Sequence, residues 1–169
     1  MTYEEALDYI SSVAWQGSRP GLERIAALMN GLGNVQNDLK YIHIAGTNGK
    51  GSVSALLSSV LTAAGYRTGL FTSPFITRFN ERMQINGVPI SDESLAEVVE
   101  QVRPVADTME DKPTEFELIT AAGFLWFARE ACDIVVLETG LGGRLDATNL
   151  IQQDECAVIT NIGLDHTEY

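Results

Sequence analysis

The segment Asp133-Ile134-Val135-Val136-Leu137-Glu138 contains four consecutive apolar residues. An extended chain points successive side chains to opposite faces, so this strand must be covered on both sides. Strands inside a parallel sheet sandwiched by helices have that need. The rest of the chain supplies matching parts. Tyr41-Ile42-His43-Ile44-Ala45, Thr68-Gly69-Leu70-Phe71 and Ala157-Val158-Ile159-Thr160 are further short strands. Between and around them, apolar residues repeat at helical spacing. Leu22, Ile25, Leu28, Met29 and Leu32 form one stripe, and Val53, Leu56, Leu57, Val60, Leu61 and Ala64 form another. Ser91 is placed to cap a helix running toward Thr108, and Thr114 with Glu117 makes a capping box for the next. Met83-Gln84-Ile85 and Val88-Pro89-Ile90 flank Asn86-Gly87, a two-residue hairpin signal. The alternation predicts a doubly wound α/β fold with a mainly parallel sheet.

Right-handed crossovers place the carboxyl ends of such strands along one edge, where ligands of open α/β sheets bind. Lys50, Ser73, Glu138 and His166 each follow a different predicted strand closely. The fold is expected to gather these four distant positions in one crevice.

The segment Gly46-Thr47-Asn48-Gly49-Lys50-Gly51-Ser52 lies between a strand and a helix. Glycines allow backbone amides to surround phosphate oxygens, and the helix N-terminus adds favourable partial charge. Lys50 is suited to neutralise phosphate charge, and Ser52 to support the helix start or a metal-water shell. The pattern departs from G-x-x-x-x-G-K-[ST], because position 44 is Ile and Gly51 separates Lys50 from Ser52. The plain alternative is a glycine turn with a solvated lysine. Glu138, closing an apolar strand before a glycine-rich loop, suits a magnesium carboxylate, since magnesium prefers hard oxygen ligands and keeps several waters. Ser73 is either a neutral oxygen donor or part of a structural Thr-Ser-Pro turn. His166 is either a ligand or an ordinary hydrogen-bonding group.

Composition narrows the partners. The 169 residues are 45% hydrophobic, enough for one core, and 23 acidic against 11 basic side chains give a formal net charge of -12. The cations form no run, so a nucleic-acid backbone is repelled rather than bound. Cys132 and Cys156 are too few for a disulfide scaffold, and both are expected to be buried thiols beside strands. Glu4, Glu5 and Asp8 occupy the place of a basic leader region, and no apolar run reaches the ~18 residues of a membrane span. A cytoplasmic location is the expectation.

The ordered set of motifs resembles the folylpolyglutamate synthase/dihydrofolate synthase family of the Mur ligase superfamily. It comprises Ala45 through Ser52, Thr72-Ser73-Pro74-Phe75, Arg78-Phe79-Asn80-Glu81-Arg82, Leu137 through Asn149, and Leu164-Asp165-His166-Thr167. Mur ligases themselves generally place a hydroxyl residue directly after the lysine, so the Lys50-Gly51-Ser52 order favours the folate branch. The resemblance implies ATP contacts at Gly49, Lys50, Gly51 and Ser52 and magnesium at Ser73, Glu138 and His166. It gives Lys50, Glu138 and His166 a part in catalysis. It also implies a pterin substrate near Gly21, Leu22, Glu23 and Arg24, near Thr114, Glu115, Phe116 and Glu117, and near Leu145, Asp146 and Ala147. For the Thr114 segment, a plain capped helix holds whether or not Phe116 meets a pterin. Arg144 is either an anion-facing cation or a solvated surface residue.

The activity implied is ATP-dependent addition of L-glutamate to dihydropteroate or reduced folates, by phosphorylation of the substrate carboxylate and attack of the amine. Family members are more than twice this long. The chain is therefore expected to be the N-terminal portion of the ATP-binding domain, inactive alone, of a monomeric parent with a separate C-terminal glutamate ligase domain. The rivals are a Mur-type ligase of UDP-linked substrates and a nucleotide-switch domain. Dependence of ATP consumption on both a pteroyl substrate and glutamate separates them.

Overall fold

The structure is a computed structural model describing residues 1–13, 17, 19–152 and 154–164. Among the described residues, five α-helices and the six strands of one sheet form: α1 (Tyr3–Ser11), α2 (Glu23–Gly31), β1 (Tyr41–Ala45), α3 (Lys50–Ala63), β2 (Thr68–Phe71), β3 (Met83–Ile85), β4 (Val88–Pro89), α4 (Asp92–Thr108), α5 (Glu115–Arg129), β5 (Ile134–Glu138) and β6 (Cys156–Ile159). The strand order is β4-β3-β2-β5-β1-β6. β2, β5, β1 and β6 run parallel, and β3 and β4 extend the sheet as an antiparallel hairpin. Asn86 and Gly87 turn that hairpin with φ of 50° and 77°, the conformation that a two-residue turn between twisted strands requires.

Helices cover both faces, as the apolar β5 demands. One face carries Tyr41, Phe71, Val135 and Leu137 under α1, α2, α4 and α5. Within it α5 is central, with ten of its fifteen residues buried, so it is wrapped by other helices rather than facing water. Its aromatic side chains meet the sheet edge-on, Phe124 against Tyr41 at 5.9 Å and Phe116 against Phe71 at 6.1 Å. The other face is thinner. Ile44, Leu70 and Val136 are buried there beneath Val53, Leu57 and Leu61 of α3.

Two expectations are corrected. The buried residues of α3 are Ser54 and Ser58, while Leu56 and Val60 are 67% and 65% exposed. The apolar stripe is therefore rotated: Val53, Leu57 and Leu61 line the contact, and the outer half of the repeat lies in water. Cys132 is buried as expected, but Cys156 is exposed at the start of the edge strand β6. Helix α1 was not anticipated, although Thr2 and Glu5 form a capping box at its start. No helix among the described residues is long and apolar enough to cross a membrane.

Candidate functional site

The carboxyl ends of β1, β2, β5 and β6 lie along one edge of the sheet, and the chemistry-bearing residues collect there. Beyond β1 the chain turns at Gly49, with φ of 83°, and enters α3 without a side-chain cap. A residue with a Cβ is disfavoured at that angle. The loop before it is strapped to the segment after β6. Thr47 donates its amide to the Asn161 carbonyl at 2.8 Å, and Asn48 donates its amide to Asn161 Oδ1 at 2.9 Å. Thr160 Oγ1 donates to the Asn48 carbonyl at 2.7 Å. With those amides taken, the open donors are the uncapped ones at the start of α3, where a helix offers partial positive charge. Lys50 folds over its own loop, its Nζ donating to the carbonyls of Gly46 at 2.8 Å and Thr47 at 3.3 Å.

Glu138 closes β5, between β1 and β2. It is buried, and its Oε2 accepts the Ser73 amide at 3.2 Å. Burial raises its pKa above the ordinary carboxyl value, opposed by the Ser73 hydrogen bond and the charge of Lys50. Gly51 faces this carboxylate, since a Cβ built there lies 3.7 Å from Oε2. The Ser73 hydroxyl accepts from Arg82 Nη1 at 3.3 Å. Arg82 in turn lies over the rings of Phe75 and Phe79, at 5.2 and 5.5 Å. Among the described residues, no cluster of three or more His, Cys, Asp and Glu side chains forms. One buried carboxylate beside a serine hydroxyl nevertheless suits magnesium, which takes one or two carboxylates and completes its shell with phosphate and water oxygens. His166 lies outside the described residues.

From the loop after β1 a cavity of about 1090 Å³ runs toward the N-terminus of α5. Gly46, Thr47, Lys50 and Ser73 line one part, and Thr114 to Glu117, Gly140 to Ala147, Arg19 and Gly21 line the other. The sequence-predicted positions divide accordingly. Gly21, Thr114, Glu115, Phe116, Glu117, Leu145, Asp146 and Ala147 line the cavity. Leu22 is half-buried against the core and Glu23 is exposed, and neither lines it. Arg24 is buried behind the wall, its guanidinium on Glu117 at 3.1 Å, and also donates to the Arg19 carbonyl. Glu117 Oε2 accepts the Thr114 amide at 2.7 Å as well. The pair thus ties the loop before α2 to the start of α5. Gly140 permits a close approach: a Cβ there would stand 2.6 Å from Phe116 Cζ. Gly49, Gly51 and Ser52 lie at the helix start beside the cavity wall.

Sequence reasoning named Asp146 but not the hydrogen bonds through which Asp146, Thr148 and His43 hold the wall in place. Asp146 Oδ2 accepts the amides of Gly140 at 3.0 Å and Leu141 at 2.8 Å, and Oδ1 accepts the amide of Thr148 at 3.0 Å and its hydroxyl at 2.5 Å. His43 Nε2 meets the Thr148 hydroxyl at 2.8 Å. Asp146 six residues after Gly140 was a readable sign of a loop-closing carboxylate. Nothing local connects His43 or Arg82 to the site.

Comparison with known proteins bears on the family and the fold. The Mur ligase middle domain family matches residues 44–169. A dihydrofolate synthase/folylpolyglutamate synthase of Bacillus subtilis (strain 168) is 46% identical over 169 residues, covering 97% of this chain and 39% of its own length. The apo form of L. casei FPGS superimposes with a TM-score of 0.93 at 41% identity, over 99% of this chain and 42% of that one. E. coli FolC in complex with DHPP and ADP superimposes with a TM-score of 0.87 at 34% identity, over 100% of this chain and 40% of that one. The chain thus spans about two fifths of the length of these relatives.

Proposed function

From the premise that this chain belongs to the folylpolyglutamate synthase/dihydrofolate synthase family, within the Mur ligase superfamily, we propose that it supplies the phosphate-binding side of an ATP-dependent amide ligase. The reaction adds L-glutamate to dihydropteroate, to reduced folates, or to both. On this reading the chain is the front of the ATP-binding domain, and the rest of that domain and a glutamate-binding domain belong to a longer monomeric polypeptide. The greater length of the relatives supports this division. The cytoplasm, where ATP and reduced folates meet, is the compartment the reading implies.

One observation carries the proposal: a single cavity joins the uncapped start of α3 and Lys50 to the wall made by Phe116, Gly140 and Asp146. A carboxylate is a poor acyl donor because hydroxide leaves badly, so amide formation needs the carboxylate phosphorylated first. Gly49, Lys50, Gly51 and Ser52 are proposed to hold the phosphates through backbone amides and the ammonium group. Magnesium, when bound, offsets charge on the transferring phosphoryl group. Glu138, Ser73 and His166 are proposed to hold it, with Glu138 as the anionic ligand. The wall residues are proposed to seat the pteroyl substrate, with Phe116 offering a ring face and Arg24 and Glu117 keeping the wall in place. The continuity of the cavity from Lys50 to Phe116, and relatives solved with AMPPCP and folate or with DHPP and ADP, support that assignment.

The test is ADP release by the complete polypeptide that carries this chain. Release is expected only when a pteroyl acid, L-glutamate, ATP and magnesium are all present. Ligation of a UDP-linked muramyl substrate with no turnover of pteroates would reject the folate assignment.

A further inference from the structure

His43 lies in the middle of β1, paired in register with Leu137 of β5 and Ala157 of β6. It takes no part in the proposed reaction, yet it begins a continuous hydrogen-bonded path to the cavity wall. The Thr148 hydroxyl has one hydrogen, and that hydrogen goes to Asp146 Oδ1 at 2.5 Å. The hydroxyl oxygen must therefore accept from His43 Nε2, 2.8 Å away, which assigns the ring proton to Nε2. Thr148 is fully buried and Asp146 nearly so, so water does not compete for these partners. The same Asp146 carboxylate holds the amides of Gly140 and Leu141. The chain leaving β5 is thus fastened twice to β1: by the Thr139 amide on the Ile44 carbonyl at 2.9 Å, and through Thr148 and Asp146 to His43.

We infer that His43 is a positioning residue for the acyl substrate: through Thr148 and Asp146 it sets the glycine-rich wall at Gly140–Leu141 relative to the strand that delivers the phosphate loop. The inference rests on the functional reading above, in which that wall seats the pteroyl group. Its physical content is a division of labour within β1. The end of the strand feeds the phosphate cradle at Gly46, and its centre aligns the opposite wall. Loss of the His43 bond leaves the phosphate cradle intact, because the Asn161 and Thr160 contacts that strap it do not involve His43. The substrate wall loses its anchor instead. Gln can place an amide Nε2 near the imidazole Nε2, so it can restore the donor. Ala cannot.

Steady-state kinetics on the complete polypeptide, with His43→Ala, His43→Gln and Thr148→Val, tests this. His43→Ala and Thr148→Val are expected to raise KM for the pteroyl substrate about 10-fold, as loss of a buried hydrogen bond does, with KM for ATP changed less than about 2-fold. His43→Gln is expected to recover most of that loss. Nitrogen-15 NMR of the unsubstituted protein is expected to show the His43 proton on Nε2. Equal changes in the two KM values, no change in either, no recovery in His43→Gln, or a proton on Nδ1 each overturns the inference. An unsubstituted protein that ligates no pteroyl acid overturns the functional reading itself, and the inference with it.

Discussion

Glu138 pays for its position at the site with stability. Burial holds its pKa above the ordinary carboxyl value in the folded chain, against the pull of the Ser73 amide and Lys50. Between the ordinary and the raised value, the folded state keeps a proton that the unfolded chain has released. Stability from this group therefore falls as pH rises through that window and stays lower above it. Glu138→Gln is expected to raise Tm of the metal-free chain at pH 7, with the gain vanishing below the ordinary carboxyl range. Calorimetric melts on both sides of that range measure it, and a lower Tm at pH 7 would contradict the account. Arg24 and Glu117 present the opposite case, with side chains only 8% and 4% exposed and paired to each other. Removing one partner strands a buried charge, so Arg24→Ala is expected to cost about 3–5 kcal/mol in urea titrations. Replacing both, as Arg24→Met with Glu117→Leu, should restore much of it. The place of Glu138 beside Ser73 and Lys50 was legible because it closes an apolar strand. The Arg24 pairing was not, since its partner is 93 residues away, and a charged residue near a glycine turn reads equally well as facing a ligand.

The elements read well where the signal is local. The strands followed from alternation and apolar runs, the hairpin from Asn86-Gly87, and the starts of α4 and α5 from Ser91 and Thr114, whose side chains accept the amides of Ser94 and Glu117. The orientation of α3 did not follow, because a repeat at three and four leaves two candidate faces. Close packing on the sheet selected the one containing Ser54 and Ser58. The end of α5 carries a further cost. Ala131 adopts φ of 51°, its amide donating to the Ala128 carbonyl while Cys132 donates to Phe127. That is the left-handed helix stop usually taken by glycine, and a Cβ is strained there. Ala131→Gly is expected to stabilise the chain by about 1 kcal/mol, measured by urea titration, since relief of that strain outweighs the added freedom of the unfolded chain. Destabilisation would show that the Ala131 side chain contributes packing the backbone angle conceals.

At the scale of the molecule, the convergence of Lys50, Ser73 and Glu138 at one sheet edge was legible because parallel strands joined by helices put their ends together. The strand order was not legible. Apolar strands of similar length carry little information about which neighbour each will take, and the order is decided by how the helices share the two faces. In the observed order β1 and β2 never touch, and β5 lies between them. This has a consequence for synthesis. A nascent chain that has released β1 and β2 from the ribosome, but not yet β5, already owns Lys50 and Ser73 and still has an open slot between the strands that precede them. The last of the three strands to emerge both seals that slot and delivers Glu138, so the three side chains come together only as the sheet closes, never ahead of it.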